Sequence, residues 1–360
     1  MLAHHWVTEQ DSESTTGRPP RELVFNHAGA YVLCLDIGSV QTRVGIADLG
    51  CNMLAHSLVN VAITEGPGRV LGEAAAALRK LLIQASIPPH LVLGVGVGVP
   101  SPVEVNGQMA RPPGSGVSSL TSAWERMNIA REILAFLPAL GIPDVQVAVD
   151  KDANLMALGE WRTSWPGVQD LMVLRMGMAI SCGIIANGRV LRGSAGVAGD
   201  LEHIPNHDST VLCRCGQRGC LTATASGEAI KRGLGPSAGA HIKQGRDIVD
   251  LLRTGGTDVT RLTLEAGTRI GTTLATAMSI LNPDLVVLGG SLTQYPDLVD
   301  QIRTSAFNNV QPLTAISARI ITSTIQQDAG LVGAAHLVLE LVTDAPAVDA
   351  AIDSGVTLRT

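Results

Sequence analysis

Four residues past the middle of the chain have the chemistry of a metal site: His203, Cys213, Cys215 and Cys220. Three thiols and one imidazole are the complement of a closed tetrahedral zinc centre, because soft sulfur and borderline nitrogen suit Zn²⁺ and leave no position open for reaction. The cysteines fall within eight residues, Cys213-Arg-Cys-Gly-Gln-Arg-Gly-Cys220, and Gly216 and Gly219 supply the backbone freedom to fold such a loop back on itself. The competing reading is a set of free thiols with an incidental histidine ten residues upstream. With six cysteines in 360 residues, this spacing fits a metal loop better than a disulfide framework, and a reducing cytoplasm is the expected setting.

The elements that must hold this loop read as two successive α/β units. Apolar runs at 31–36, 43–48 and 53–62, broken by turns at Gly38 and Gly50, predict three short strands in an antiparallel meander. Helical spacing over 72–85 follows. Then Leu91–Val99 alternates Val or Leu with Gly, as does a strand buried on both faces and closely approached by other backbone. A helix over 124–140 and a strand over 145–149 complete the first unit. The second has a helix over 152–163, strands over 170–177, 180–187 and 189–192 around the Asn187-Gly188 turn, helices through 221–281, a strand over 285–288, a helix over 296–309, a strand over 319–322 and a last helix over 328–344. The duplication implies an α/β fold of two lobes with a cleft between them. The expected division is a tail over 1–30, a smaller lobe of 31–151 plus 328–345, a larger lobe of 152–327 with the metal loop, and a flexible tail over 346–360.

Composition removes several function classes. Hydrophobic residues make up 46% of the chain and charged residues 16%, which excludes a wholly disordered protein. A formal net charge of −6 gives no basic excess for non-specific nucleic-acid binding, and four Trp, two Tyr and three Phe are too few for a base-stacking platform. Apolar stretches fall short of the roughly 20 residues of a spanning helix, so no membrane partner is expected. The first 13 residues lack the apolar run of a signal peptide.

The segment Gly193–Ser226, with Ala198-Gly-Asp-Leu-Glu-His203 and the Cys213–Cys220 loop running into Leu221, resembles the signature of the ROK family of sugar kinases and sugar-responsive repressors. Asp36-Ile-Gly38, Asp152-Ala-Asn154 with Gly159-Glu160, and Leu288-Gly-Gly290 recur in family order, and the resemblance spans about residues 17–345. It implies the two-lobed actin/hexokinase-like, ribonuclease H-like fold. In that superfamily the strand-end Asp helps hold hydrated Mg²⁺ and the glycine turn admits phosphate to backbone N–H groups. Asp36, Gly38 and Ser39 take those places, although a capping strand-end carboxylate describes Asp36 equally well. The second phosphate loop of family kinases resembles Gly-Thr-Gly-x-Gly-x-Gly. Here it reads Gly177-Met-Ala-Ile-Ser-Cys-Gly183, with Met178 in place of the threonine and side chains at two formerly bare positions. Each lost hydrogen bond to a charged phosphate costs roughly 1.5–3 kcal/mol, so two such losses weaken phosphoryl transfer by about a hundredfold or more. Gly289 and Gly290 are placed by the resemblance at the adenosine end, and Gly333-Ala-Ala335 in the last helix is small enough for close packing.

For the sugar, the resemblance implies Asp152 as the general base that takes the proton of the attacking hydroxyl; a helix N-cap is the competing reading. Lys151 stands where the family has a sugar-binding Asn, and a cation beside Asp152 would hold it ionised. Asp200 stands for a Glu, Glu202 for a Gly, and Thr222 for a Glu, while His203 is kept. Lys151, Asp152, Asp200, His203 and Thr222 therefore outline the candidate sugar site. Thr15–Phe25, with Gly17-Arg-Pro-Pro20, looks like the end of the winged helix-turn-helix arm of ROK repressors. The expectation is a regulator-type body that senses a sugar or sugar phosphate, dimerises, carries structural zinc and meets DNA only through an N-terminal domain missing from this chain. The alternative is an ATP- and Mg²⁺-dependent sugar kinase.

Overall fold

The structure, a computed structural model, describes residues 7–11, 21–104, 109, 122–124, 127–142 and 145–343. At the start, β1 (Val7–Asp11) and β2 (Arg21–Phe25) form an antiparallel ladder from Val7 opposite Phe25 to Asp11 opposite Arg21. Part of the expected N-terminal tail is thus paired strand. The expected C-terminal tail lies outside the described residues.

Two five-stranded sheets follow with the same topology. The first contains β3 (Tyr31–Ile37), β4 (Thr42–Asp48), β5 (Met53–Val59), β6 (Val92–Val99) and β7 (Gln146–Lys151), in the order β5-β4-β3-β6-β7. The second contains β8 (Leu171–Met176), β9 (Ile180–Ala186), β10 (Arg189–Val190), β11 (Leu285–Gly289) and β12 (Arg319–Thr322), in the order β10-β9-β8-β11-β12. In each, a three-stranded antiparallel meander is extended on its first strand by two parallel strands. The mixed α/β, two-sheet architecture expected from the sequence is present. The main departure is at 124–140, where the α-helix covers only Ile129–Phe136. Pro138 then tightens the chain into a 3₁₀ turn, Leu137–Leu140, that ends on left-handed Gly141.

The layers are built by burial. One face of the first sheet packs on the helices Pro67–Gln84 and Ile129–Phe136, with Leu35, Val44, Leu78 and Ile129 in that core. Its other face receives the last helix, Ala329–Val342, through Val32, Cys34 and Val338. The second sheet packs on the helix Asp152–Ser164 through Leu158, Val173 and Val287, and on Thr257–Leu281 and Pro296–Asn309 on its other side. Ala329–Val342 and Asp152–Ser164 lie against each other between the sheets.

Glycine makes that middle layer possible. A Cβ on Gly96 of β6 would fall on the Ala334 carbonyl, one on Gly333 on the Leu155 carbonyl, one on Gly159 on the Ala329 carbonyl, and one on Gly183 of β9 on the Ala153 carbonyl. From sheet to helix to helix to sheet, backbone meets backbone. The Val/Gly alternation of β6 follows directly: Gly94, Gly96 and Gly98 face the last helix and Leu155, while Val95, Val97 and Val99 fill the opposite core.

Candidate functional site

The carboxyl ends of the first strands of both sheets meet at the start of the helix Asp152–Ser164. Asp36 is the penultimate residue of β3, Asp152 the first residue of that helix, and Arg175 the penultimate residue of β8. Arg175 Nη1 donates to Asp36 Oδ1 at 3.2 Å and to Asp152 Oδ2 at 2.8 Å, and its Nη2 donates to Asp36 Oδ2 at 3.3 Å. Asp36 is 4% and Asp152 6% exposed, so a half-buried cation is shared by two buried carboxylates from different parts of the fold. Burial pushes the Asp152 carboxyl up, and Arg175 pulls it back. The Asp36 carboxylate beside Arg175 raises the guanidinium further above its ordinary range.

One expectation changes here. Asp152 is not a helix cap: Lys151 occupies the cap position, and Asp152 Oδ1 is buried without a hydrogen-bond partner among the described residues. Lys151 does favour the ionised form of Asp152, as expected, but less than Arg175 does. Its side chain, 3% exposed, turns to Asp200 and Glu202, bonding Asp200 Oδ1 closely and Glu202 Oε1 at 3.3 Å. Burial alone would lower the Lys151 ammonium; Glu202 and Asp200 more than reverse this and leave it raised. Burial likewise pushes Glu202 up to about 7 against the pull of Lys151, and its Oε2 has no hydrogen-bond partner among the described residues. Asp150 anchors the strand end, accepting from the Lys151 N–H and Asn154 Nδ2, both at 2.7 Å, and from Arg192 Nε at 2.8 Å. Thr222 Oγ1 faces the Ile180 N–H at 3.5 Å, beside β9.

The glycine turns are engaged within the protein. Gly38 donates its N–H to the Gln41 carbonyl at 2.9 Å, closing the β3–β4 turn with Ser39 half-buried. Gly177 donates to the Ala179 carbonyl at 3.0 Å, while the Gly177 and Met178 carbonyls accept from the N–H groups of Gly227 and Glu228 at 2.8 and 3.1 Å. Thus the loop bends toward the helix Gly227–Gly233 and takes up that helix's first donors. Gly183 is occupied by its contact with Ala153. Gly289 leaves room for the Met156 side chain, and left-handed Gly290 lies on the backbone of Met176. The structure therefore brings together Asp36 with Asp152, and Lys151 with Asp200, whereas Gly183, Gly289 and Gly290 serve close packing.

The metal-loop residues converge. His203 ends a 3₁₀ turn over Leu201–His203, and Cys220 immediately precedes the short helix Leu221–Ala225. The chain between folds back through left-handed Gly216 and Gly219, with Cys213 N–H on the Gln217 carbonyl and Asn206 N–H on that of Gly219, both at 2.7 Å. The four ligand atoms lie within 4.8 Å of one another, with Cys213 Sγ 3.8 Å from His203 Nδ1 and Cys215 Sγ 3.6 Å from Cys220 Sγ. Sulfurs bound tetrahedrally at about 2.3 Å would stand about 3.8 Å apart, so the donors fit one shared ion.

Comparison with known proteins agrees with the fold. The ROK family profile matches residues 32–341. The xylose repressor of Caldicellulosiruptor bescii is 25% identical over 316 residues, covering 83% of this chain and 75% of the repressor. The glucokinase of Thermotoga maritima is 28% identical over 216 residues, covering 55% of this chain and 67% of the kinase. Among solved structures, a ROK family glucokinase from Streptomyces griseus in complex with glucose and AMPPNP superposes with a TM-score of 0.70 at 25% identity, covering 86% of this chain and 99% of the other. A ROK family transcriptional regulator, a homolog of the E. coli MLC protein, superposes with a TM-score of 0.76 at 21% identity, covering 98% of this chain and 89% of the other.

Proposed function

Because this chain belongs to the ROK family, we propose that it is a regulator-type body whose cleft senses a sugar and does not transfer phosphate. The observation that carries this reading is Arg175. A kinase of this fold needs Asp152 free to accept a proton and Asp36 free to hold hydrated metal. Here one guanidinium engages both. The Gly177–Ala179 loop, with its Met178 side chain and its carbonyls tied to Gly227 and Glu228, supports the same conclusion.

Sugar binding is assigned to Lys151, Asp152, Asp200, His203 and Thr222, at the mouth between the two sheets. Binding favours one lobe orientation through unequal affinity for open and closed states. The ion held by His203, Cys213, Cys215 and Cys220 is zinc, by the softness of three thiolates and one imidazole. It is structural, and it braces the wall carrying Asp200 and Glu202. The β1–β2 ladder supports a regulator, since a two-stranded ribbon is the form of a wing. The body acts as a homodimer in the cytoplasm.

A coupled ADP-release assay with hexoses and N-acetylhexosamines, paired with calorimetry against the same sugars, tests the reading. Binding without turnover is expected. Sugar-dependent ADP release that Asp152→Asn abolishes would replace it with the kinase reading, in which Asp152 is the base and ATP and Mg²⁺ are cofactors. The glucokinase relatives favour that second reading.

A further inference from the structure

Residues 192–200 bridge the two sheets. Arg192 stands two residues past β10, the edge strand of the second sheet. Its Nε and Nη2 lie 2.8 and 2.7 Å from Oδ2 of Asp150, on β7, the edge strand of the first. Four residues on, Gly196 touches the first unit again, where a Cβ would fall 2.4 Å from the Val103 carbonyl oxygen; Val103 packs on the core of the first sheet. At Gly199 the chain returns to the second sheet, where a Cβ would fall 2.7 Å from the Cys182 carbonyl oxygen of β9. The next residue, Asp200, is bonded by Lys151, the last residue of β7.

This strap has little to hold it except those anchors. It carries no helix or strand, and 192–195 and 197 are exposed. Its backbone bonds stay within it: the Ala198 N–H on the Arg192 carbonyl at 3.1 Å and the Asp200 N–H on the Val197 carbonyl at 3.2 Å. Gly193, Gly196 and Gly199, with left-handed φ of 71°, 71° and 82°, free its backbone at both ends and in the middle. A segment so sparsely packed opens locally at low cost unless its ends are fixed. The post that fixes it is firm. Asp150 is 4% exposed and also accepts from the Lys151 N–H and Asn154 Nδ2, both at 2.7 Å. Neighbouring residues of one strand end therefore hold both ends of the strap, Asp150 through Arg192 and Lys151 through Asp200.

On the reading that this cleft senses a sugar through Asp200, we propose that Arg192 is a positioning residue: by gripping Asp150 it seats the strap and keeps Asp200 in place for the ligand. With the grip lost, the strap populates released states in which Asp200 is out of register, and apparent affinity falls in proportion to the seated fraction. Arg192 is 46% exposed, so its removal opens no void in either core.

The experiment pairs titration calorimetry, using glucose, galactose, mannose and their N-acetylamino counterparts, with amide hydrogen exchange over 193–199. Arg192→Gln should weaken the tightest of these sugars about tenfold, the effect of a seated fraction near one tenth. Arg192→Lys, which keeps the charge and loses the planar fork, should fall between that variant and the parent. The strap amides should exchange faster in Arg192→Gln while those of β7 and of the helix Asp152–Ser164 keep the parent's rates. Gly196→Ala places a methyl on the Val103 carbonyl and should release the same strap at its second anchor, so the double variant should bind no more weakly than the weaker single one. Should Arg192→Gln fail to fold, Arg192→Lys and Gly196→Ala carry the same comparison.

Unchanged sugar affinity or unchanged strap exchange in Arg192→Gln overturns this proposal and leaves the sensor reading intact. So do losses that multiply in the double variant, or exchange that quickens equally in β7 and the helix. Silence from every sugar in the parent overturns the sensor reading, and the role of Arg192 with it.

Discussion

Replacing Arg175 with methionine removes the guanidinium and keeps an unbranched side chain in the strand. Asp36 and Asp152 would then face each other at 4% and 6% exposure without the guanidinium that bridges them. Three contacts of 2.8–3.3 Å are lost. Removing one partner of a buried ion pair costs about 3–5 kcal/mol, and because the Arg175 side chain is 28% exposed the lower end applies, about 3 kcal/mol. At roughly 2–4 °C per kcal/mol for a protein somewhat smaller than this one, Tm should fall by at most about 6–12 °C.

The loss should depend on pH in a definite sense. Burial already raises the Asp152 carboxyl, and without Arg175 nothing comparable pulls it back. A carboxyl raised in the folded state contributes stability below its unfolded value and loses it as pH rises through the folded value. The gap between Arg175→Met and the parent should therefore widen as pH rises and narrow as pH falls. Millimolar Mg²⁺ should raise the variant's Tm and leave the parent's unchanged, because a divalent ion can stand between the two freed carboxylates. Scanning calorimetry reads both effects. A variant that melts with the parent at every pH, indifferent to Mg²⁺, would refute the idea that Arg175 neutralises this pair.

Three further predictions follow from the same geometry. Purified protein should contain one zinc per chain by elemental analysis, and Cys220→Ala should lose it with a lowered Tm; full metal content in that variant would exclude Cys220 as a ligand. Burial lowers the His336 imidazole to about 4, with Arg162 adding to the shift. A depressed folded value means that stability is retained above the ordinary 6.5 and lost as pH falls toward 4, by at most about 3 kcal/mol at about 1.4 kcal/mol per pH unit. His336→Leu should flatten that acid limb in melts recorded between the two values. Gly333→Ala places a methyl on the Leu155 carbonyl and should cost about 1–3 kcal/mol in denaturant titrations, whereas Gly255→Ala, in open space on the surface, isolates the strain of its own left-handed φ of 78°.

Much of this fold is legible because its signals are local. The meander of β3, β4 and β5 announces itself as apolar runs separated by turn residues, and β6 by valines on one face and glycines on the other. The metal loop is legible because its ligand types are rare and lie close together. Arg175 is not legible in this way. Its partners stand 139 and 23 residues away, and only the crossing of two sheets brings them within reach. A signal does exist in the internal duplication: β3 and β8 are equivalent strands, and each has one charged residue, at its penultimate position, Asp36 in one and Arg175 in the other. Lys151 and Glu202 are each visible as departures from a family pattern, but their pairing is a property of three dimensions. Gly289 and Gly290 read as a nucleotide turn from the resemblance alone; their close approach to Met156 and Met176 is a property of the packing that a glycine pair in a sequence does not announce.

The backbone contacts through Gly96, Gly333, Gly159 and Gly183 give the waist of the molecule a mechanical character. Side chains between sheets can change rotamer and absorb a small displacement, but carbonyl groups seated on bare Cα atoms have nothing to rearrange. Sliding one lobe along the other would drive oxygen into carbon at four places, so the axle formed by the two central helices permits turning far more readily than shear.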